Sequence, residues 1–556
     1  MAATEQRSAA TDPRLRAPNQ PPPFGDLNLF ETNRPLAEAL ESQGAGWAAE
    51  RARAVGEIAG RASTLEAGRL ANENLPVLRA FDRYGNRIDE VEFHPAWHEM
   101  LGIATTHGLH ALPWAEPQPG AHAARAAMFM TLSQAEGGHG CPISMTHAIV
   151  PAMRVQPEVA AEWEPLITAY AYDGSNRPAG EKPGALAGMA MTEKQGGSDV
   201  RANLTTATPL NGGGAGAEYR LDGHKWFCSA PMCDVFLTLA QADGGLSCFA
   251  VPRWTPDGER NGIRLLRLKD KLGNHSNASS EIEYEAAWSR MVGEPGRGVA
   301  TIIEMVGHTR LDCTIGAAAG MRIAVAQAIH HASHRAAFGR TLIDQPLMRN
   351  VLADLAIESE AATLLAMRLA RAYDEAPADP EQELFKRLAT PVAKYWTTKR
   401  CPPHAAEAIE VLGGNGYVED SAMPRLYREA PVNAIWEGSG NVIALDVLRA
   451  LSRSPETLEA FFAEVDSARG AEPRLDAHVA ALRTALADID AVEPRARRVV
   501  ELMALALQGS LVVRHSPPAV ADAFCAARLG GDAGLLFGTL PATTDFEAIV
   551  ARHAPV

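Results

Sequence analysis

No C-x-x-C pair occurs among the seven cysteines of this chain (Cys141, Cys228, Cys233, Cys248, Cys313, Cys401, Cys525). Their odd number and scatter argue against a structural zinc cluster and predict reduced thiols in a cytosolic compartment. Long apolar runs are also missing. The best stretch, Ile315 to Ile329, is broken by Arg322 and Gln327, so no membrane partner is expected. No repeat of solenoid period occurs. Basic charge is in deficit, with 52 Lys and Arg against 67 Asp and Glu and a net charge of −15. That balance opposes generic nucleic-acid binding and leaves room only for a local basic stripe. The first 23 residues carry Arg7, Arg14 and Arg16, but also Glu5, Asp12 and Pro21-Pro22-Pro23. They read as a floppy leader and not as a transit peptide.

What is present suits a globular protein of several domains: 556 residues, 46% hydrophobic and 21% charged. Residues 1–46 are proline-rich and sparsely apolar, as in a flexible arm lying on the body. Residues 47–182 have helical periodicity, including the alanine-rich run Ala121 to Leu132. Between 183 and 292 short alternating or apolar segments are separated by glycine and proline turns, which predicts a β-domain. Strands are expected at Ala187–Met191, Glu218–Leu221, Val235–Ala240, Ser247–Val251 and Ser280–Tyr284. Helical periodicity returns over 293–454, as in a bundle, and 455–556 reads as an extra helical domain. The fold class is mainly α with an inserted β-domain.

Three motifs carry chemistry. In Ile435-Trp436-Glu437-Gly438-Ser439-Gly440-Asn441 a carboxylate sits between a bulky aromatic and a glycine turn that opens an apolar helix. Apolar neighbours raise such a carboxylate's pKa toward values useful for proton abstraction, and the glycines allow backbone to approach a ligand. Alone, the stretch also fits a helix start capped by Ser439 or Asn441, with Glu437 an ordinary surface acid. Upstream, Met191-Thr192-Glu193-Lys194-Gln195-Gly196-Gly197-Ser198-Asp199 follows the first expected strand. Gly223-His224-Lys225-Trp226-Phe227-Cys228-Ser229 puts an aromatic and a hydroxyl side by side. Hydroxyl partners beside an apolar wall are what an isoalloxazine ring requires, although a pair of β-turns explains the glycines as well.

Taken together and in order, M-T-E-x-x-G-G-S-D, G-x-K-x-F-x-S and W-E-G-x-x-N resemble the acyl-CoA dehydrogenase family over about residues 50–452. Arg335-Ala336-Ala337-Phe338-Gly339 with Gln345, and Val411-Leu412-Gly413-Gly414-Asn415-Gly416-Tyr417, agree with it. Within the family the chain looks closest to the AidB type, the DNA-alkylation-response branch. The marks include the Asn19–Pro23 arm, Glu66–Asn72, Phe93–His98, Cys141–Thr146, Leu268–Gly273, Pro424–Glu429 and the extra C-terminal domain.

The resemblance implies an FAD cofactor, an acyl-CoA substrate and a homotetramer. It implies that Met191, Thr192, Gly197 and Ser198 line the flavin pyrimidine ring, and that Phe227, Cys228 and Ser229 wall its dimethylbenzene side. Ile435, Trp436, Gly438, Ser439, Gly440 and Asn441 would complete that shell. Arg335, Phe338, Gln345, Gly413 and Gly414 would meet the adenine half, largely of a neighbouring subunit. Glu437 falls on the family's usual base position, and its backbone N–H would polarise the thioester carbonyl together with a ribityl hydroxyl. Isovaleryl-specific relatives keep the base before an arginine on the first bundle helix; here Thr309 stands there, before Arg310, and cannot be a base. Trp436 replaces a smaller Tyr of many relatives, which predicts a short acyl pocket and a short branched, isovaleryl-like substrate. Ala230 replaces a common asparagine.

The branch's association with duplex DNA is opposed by composition. From Thr457 to Val556 there are nine arginines and no lysine against thirteen acidic residues, a net charge of −4. Only a folded cluster of Arg449, Arg495, Arg497, Arg498 and Arg514 would offset that. His330/His334 and His94/His98, each one helical turn apart, read as helix packing and not as metal ligands. No metal is expected.

Overall fold

Helices and strands fall in blocks along the computed structural model, which describes residues 19–487 and 492–555. Of the expected leader, residues 1–18 lie outside the described residues. The first block holds α1 (Arg34–Ser42), α2 (Ala49–Gly60), α3 (Ala62–Glu73), α4 (Pro95–Thr106), the single turn α5 (Leu112–Ala115), α6 (Ala121–Ser133), α7 (Gly140–Met153) and α8 (Pro157–Ile167). Inside the span expected to be a flexible arm, α1 buries Leu36 and Leu40 completely, so this part is packed. The small side chains of α6 let neighbours close on every side, and all of Ala121 to Leu132 is buried.

A hairpin, β1 (Val77–Phe81) with β2 (Arg87–Glu92), stands where helix was expected. Its turn is written locally: the Asp82 carboxylate accepts from the backbone N–H of Tyr84 at 2.8 Å and of Asn86 at 2.9 Å.

The β-domain contains β3 (Ala187–Ala190), β4 (Thr206–Pro209), β5 (Glu218–Ser229), β6 (Val235–Ala242), β7 (Gly245–Pro252), β8 (Ile263–Leu268) and β9 (Ser279–Val292). The order is β3-β6-β4-β5-β9-β7, and β7 also pairs with β6, so the sheet closes on itself; β8 adds to β9. β4 and β8 were not expected, because one is only four residues long and the other pairs its leucines with arginines. Two bulges on β5, at Leu221/Gly223 and Lys225/Cys228, re-aim the second half of that strand.

The bundle is α9 (Gly298–His334), α10 (Pro346–Glu375), α11 (Pro380–Leu412) and α14 (Gly440–Arg453), with the short α12 (Gly414–Tyr417) and α13 (Met423–Glu429) between the last two. These helices all fall inside the 293–454 span of helical periodicity. Then follow α15 (Glu456–Val465), α16 (Pro473–Ala487), α17 (Ala496–His515), α18 (Pro518–Phe524) and α19 (Phe546–His553). Buried charges dock this last block on the bundle. The Glu360 carboxylate accepts from Arg552 and His553, each at 2.9 Å, and the buried Arg322 donates to the carbonyls of His553 at 2.9 Å and Thr32 at 2.6 Å.

A second polar knot joins the helical and β blocks. The buried Glu136 carboxylate accepts from the N–H groups of Gly138 and His139, the Asn72 amide and the Ser276 hydroxyl, all within 2.6–2.8 Å. Burial pushes this carboxyl up, but His139 and the other donors outweigh it and hold the group down at about 2. Asn72 and Glu429 come from the stretches that mark the AidB type. Ser276 and Asn274, which donates to Glu429 at 2.7 Å, follow the Leu268–Gly273 stretch.

Candidate active site

The turn before α14 presents Glu437. Glu437 has φ of +56°, in the left-handed region that side chains other than glycine seldom adopt, and Gly438 follows at +103°. Such a turn persists only if its surroundings hold it. Lys394 of α11 donates to the carbonyls of Trp436 at 2.9 Å and Gly438 at 2.5 Å. From α9, the Arg310 Nε donates to the Glu437 carbonyl at 3.1 Å while its Nη1 pairs with Asp446 at 2.6 Å. Ser439 is the N-cap residue of α14 but makes no side-chain cap bond, so the motif is not explained as a capped helix start.

The residue at the alternative base position has a different use. The Thr309 hydroxyl donates to Glu437 Oε2 at 2.7 Å and also lies 3.1 Å from the Val306 carbonyl. A hydroxyl has one hydrogen, so it serves the carboxylate when Glu437 is ionised and can turn to Val306 when Glu437 holds the proton. Burial raises the Glu437 carboxyl above the ordinary carboxylate range, and Thr309, Arg310 and Lys394 oppose that rise without cancelling it. The site is therefore a carboxylate poised to take a proton.

Cys141 of α7 lies within reach of both the β-domain motifs and this turn: burial, the largest influence, pushes its thiol up to about 11, Ser229 and Asn277 lower it and Glu437 raises it, so it stays a neutral thiol. Met191, Thr192 and Ser229 are half-buried, and Phe227 is 48% exposed beside them. Ser198 and Gly197 are exposed, and a methyl group on Gly197 would lie 2.5 Å from the Thr192 hydroxyl, so glycine is needed there. The two motifs are locked to each other from behind. The Lys225 ammonium donates to Glu193 at 2.7 Å and to the Leu239 carbonyl at 2.7 Å, and the Trp226 N–H donates to the Thr192 carbonyl at 2.7 Å. An open face with hydroxyls at one side and an aromatic at the other fits the flavin ring system. Cys228 does not join that face: its side chain is buried in the sheet core, and only its backbone lies at the expected wall.

The residues expected at the adenine half form a separate group. Arg335 follows the end of α9, 26 residues beyond Thr309, which at helical rise is about 39 Å away. Arg335 donates to the Asn19 carbonyl at 2.8 Å, the Asn19 amide donates to the Ala336 carbonyl at 2.8 Å, and Asn415 bonds Gln20 at 2.9 Å. The N-Q-P-P arm thus straps this group. Gln345 donates to the Ala337 carbonyl at 3.1 Å. Phe338 is 100% exposed, and an added methyl on Gly413 or Gly414 would meet nothing. A cavity of about 780 Å³ lies beneath the arm, lined by Pro21, Arg69, Gln327, His331, Asn415 and Arg425 among others.

The arginines proposed for DNA are largely engaged with acids. Arg449 pairs with Asp446 at 3.4 Å, Arg498 with Glu501 at 2.8 Å and Arg514 with Glu464, while the Arg497 guanidinium packs close to Gly440. Arg495 is also engaged. The paired histidines are absorbed by packing, as His330 and His334 bond the carbonyls of Pro22 and His330 at 2.8 Å, and His98 bonds Tyr172 at 2.7 Å. Sequence reasoning missed Lys394 and the Thr309 bond, since both act across helices far apart in the chain. A buried lysine in the apolar face of α11 was the one available signal.

Comparison with known proteins gives three matches in chain order. Residues 19–174 match the family described as adaptive response protein AidB N-terminal domain, 188–287 the acyl-CoA dehydrogenase middle domain, and 296–452 the acyl-CoA dehydrogenase C-terminal domain. AidB of Escherichia coli (strain K12) is 46% identical over 522 residues, covering 93% of this chain and 95% of that protein. Acyl-CoA dehydrogenase family member 11 of Caenorhabditis elegans is 33% identical, covering 72% of this chain and 67% of that one. Among solved structures, the Bd2924 apo-form (28% identical, TM-score 0.82) covers 89% of this chain and 99% of its own. The C. elegans ACDH-11 complex with C11-CoA (26% identical, TM-score 0.82) covers 97% of this chain and 92% of its own.

Proposed function

The chain belongs to the acyl-CoA dehydrogenase family, in its AidB type, and from that premise we propose that it dehydrogenates a short branched acyl-CoA with Glu437 as the base. It is an FAD-dependent oxidoreductase of the acyl-CoA dehydrogenase kind. FAD, when bound, supplies the acceptor for the hydride equivalent leaving Cβ of the acyl group.

The chain's own residues do the rest. Thr192, Ser198 and Ser229 offer hydroxyls to the flavin edge and Phe227 its apolar wall. The Glu437 N–H, on a backbone held by Lys394 and Arg310, would donate to the thioester carbonyl oxygen and so acidify the α-proton; one such donor is worth roughly 2.7–4 kcal/mol. Glu437 takes that proton, helped by the elevated affinity for protons that burial gives it. The product is a trans-2-enoyl thioester. The observation that carries this reading is the Thr309–Glu437 bond: the position of the alternative base is filled by a hydroxyl that serves Glu437. Trp436, whose indole is fixed by Asn433 at 2.9 Å, stands beside the base and favours a short acyl chain.

The separation of about 39 Å along α9 between Thr309, which bonds Glu437, and Arg335 supports dividing the flavin-binding candidates between two copies. We therefore infer that a second copy completes each site, in a homotetramer whose contacts use the exposed Phe338, Leu347, Tyr417 and Ile435. A cytoplasmic place and a part in the DNA-alkylation stress response rest on the kinship with AidB. Arg449, Arg498 and Arg514, each paired with an acid, give no support to duplex DNA as a partner, nor to the alternative that the chain is a DNA-binding flavoprotein with a structural or redox-sensing FAD and no physiological acyl-CoA turnover.

The test is anaerobic mixing of the FAD-loaded protein with isovaleryl-CoA and, separately, with an eleven-carbon acyl-CoA. Bleaching by the first and not by the second is expected, and Glu437→Gln should retain FAD yet not bleach. Full-rate bleaching of that variant would remove Glu437 from its role; bleaching by the long chain alone would remove Trp436 as the pocket floor.

A further inference from the structure

One residue before Thr309, His308 of α9 meets His122 of α6 and His147 of α7. The ring centroids are 5.5 Å (122–147), 5.5 Å (122–308) and 5.2 Å (147–308) apart, and one ring nitrogen of each lies within 4.8 Å of the others. The three side chains are 8%, 0% and 8% exposed in chain order. His122 Nδ1, His147 Nε2 and His308 Nδ1 are buried without a hydrogen-bond partner. Buried polar atoms are nearly always satisfied, so three orphaned nitrogens in one cluster call for an occupant.

We propose that His122, His147 and His308 form a three-histidine site for a divalent transition metal of the zinc class. Imidazole is the ligand type such ions favour, and three of them leave a fourth position open. Metal–nitrogen bonds of about 2.0–2.1 Å require the rings to draw in by roughly 1 Å each. A metal at His147 Nε2 requires the tautomer that carries its proton on Nδ1, the nitrogen that the Trp114 N–H approaches here. The Trp114 N–H, 3.0 Å from that Nδ1, has the His147 carbonyl as its other acceptor at 2.9 Å.

The neighbouring charges do not exclude a cation. Arg125 is paired by two contacts with Asp312, the longer at 2.7 Å, and Lys386 with Glu383 at 2.5 Å. The Asp374 carboxylate accepts from the backbone of His122 at 2.7 Å and Ala123 at 3.0 Å. Burial keeps all three imidazoles neutral, His122 down to about 3, so no proton competes at neutral pH. The metal would clamp the first helical block to the helix that carries Thr309 and Arg310. Nothing in this proposal depends on the flavin reaction.

The test loads chelator-treated, FAD-containing full-length protein with Zn²⁺, desalts it and counts zinc per chain. The wild type is expected to hold about one equivalent, and His122→Ala and His147→Ala to lose it at least tenfold while keeping the flavin spectrum. X-ray absorption at the zinc edge on the wild type should report three imidazoles, a readout that needs no variant to fold. A wild type that retains no zinc, variants that retain as much as the wild type, or a sulfur-ligated ion would each overturn the site.

Discussion

Replacing Thr309 with valine removes the hydroxyl and keeps the branched shape, so packing around α9 is conserved. What is lost is one hydrogen bond of 2.7 Å to Glu437 Oε2. A bond to a charged group contributes about 1.5–3 kcal/mol, and it stabilises the ionised carboxylate over the protonated one. At 1.36 kcal/mol per unit, Glu437 should titrate roughly one to two pH units higher. Burial already raises this carboxyl, and Thr309 is first among the groups that lower it, so the change adds to an existing elevation. The base must be ionised to take a proton, and the rate therefore falls on the acid side of its pKa. The expected result is that the acid limb of flavin reduction by isovaleryl-CoA moves to higher pH in Thr309→Val, with the plateau changed far less. The assay is stopped-flow flavin bleaching across a pH series. An acid limb that stays in place or moves down would show that the hydroxyl does not tune the base.

Other perturbations test the frame. Lys225→Met leaves the Glu193 carboxylate buried without its cation; removing one partner of such a pair costs about 3–5 kcal/mol. Thermal unfolding should shift down and FAD should be held more weakly, whereas an unchanged melting curve would contradict the tie between the two motifs. Lys394→Met frees two carbonyls of the strained turn, and is expected to lower the rate of flavin bleaching with FAD content preserved. Glu136 is held down to about 2 in the folded chain, below its unfolded value, so its contribution is complete above about 4.5 and fades as pH falls toward 2. Glu136→Gln should lose stability at neutral pH and show a flatter decline of Tm on acidification than the wild type.

Local chemistry is what the sequence alone determined. The long helices follow their apolar periodicity, the alanine run its burial, and the glycine turns the β-domain, because each is written in residues a few positions apart. The same holds for Glu437, whose turn and neighbouring aromatic are contiguous. Strands as short as β4, or masked by arginine as β8 is, gave too little periodicity, and the β1–β2 hairpin depends on a single aspartate turn. Tertiary structure alone decided which charges meet. Lys394 reaches Trp436 and Gly438, Lys225 finds Glu193, and Thr309 lies 128 positions from the carboxylate it serves. It also turned Cys228 inward and brought His122, His147 and His308 together from three helices. The physical reason is that hydrogen bonds and desolvation act over a few ångströms in space, and chain separation carries no record of that distance.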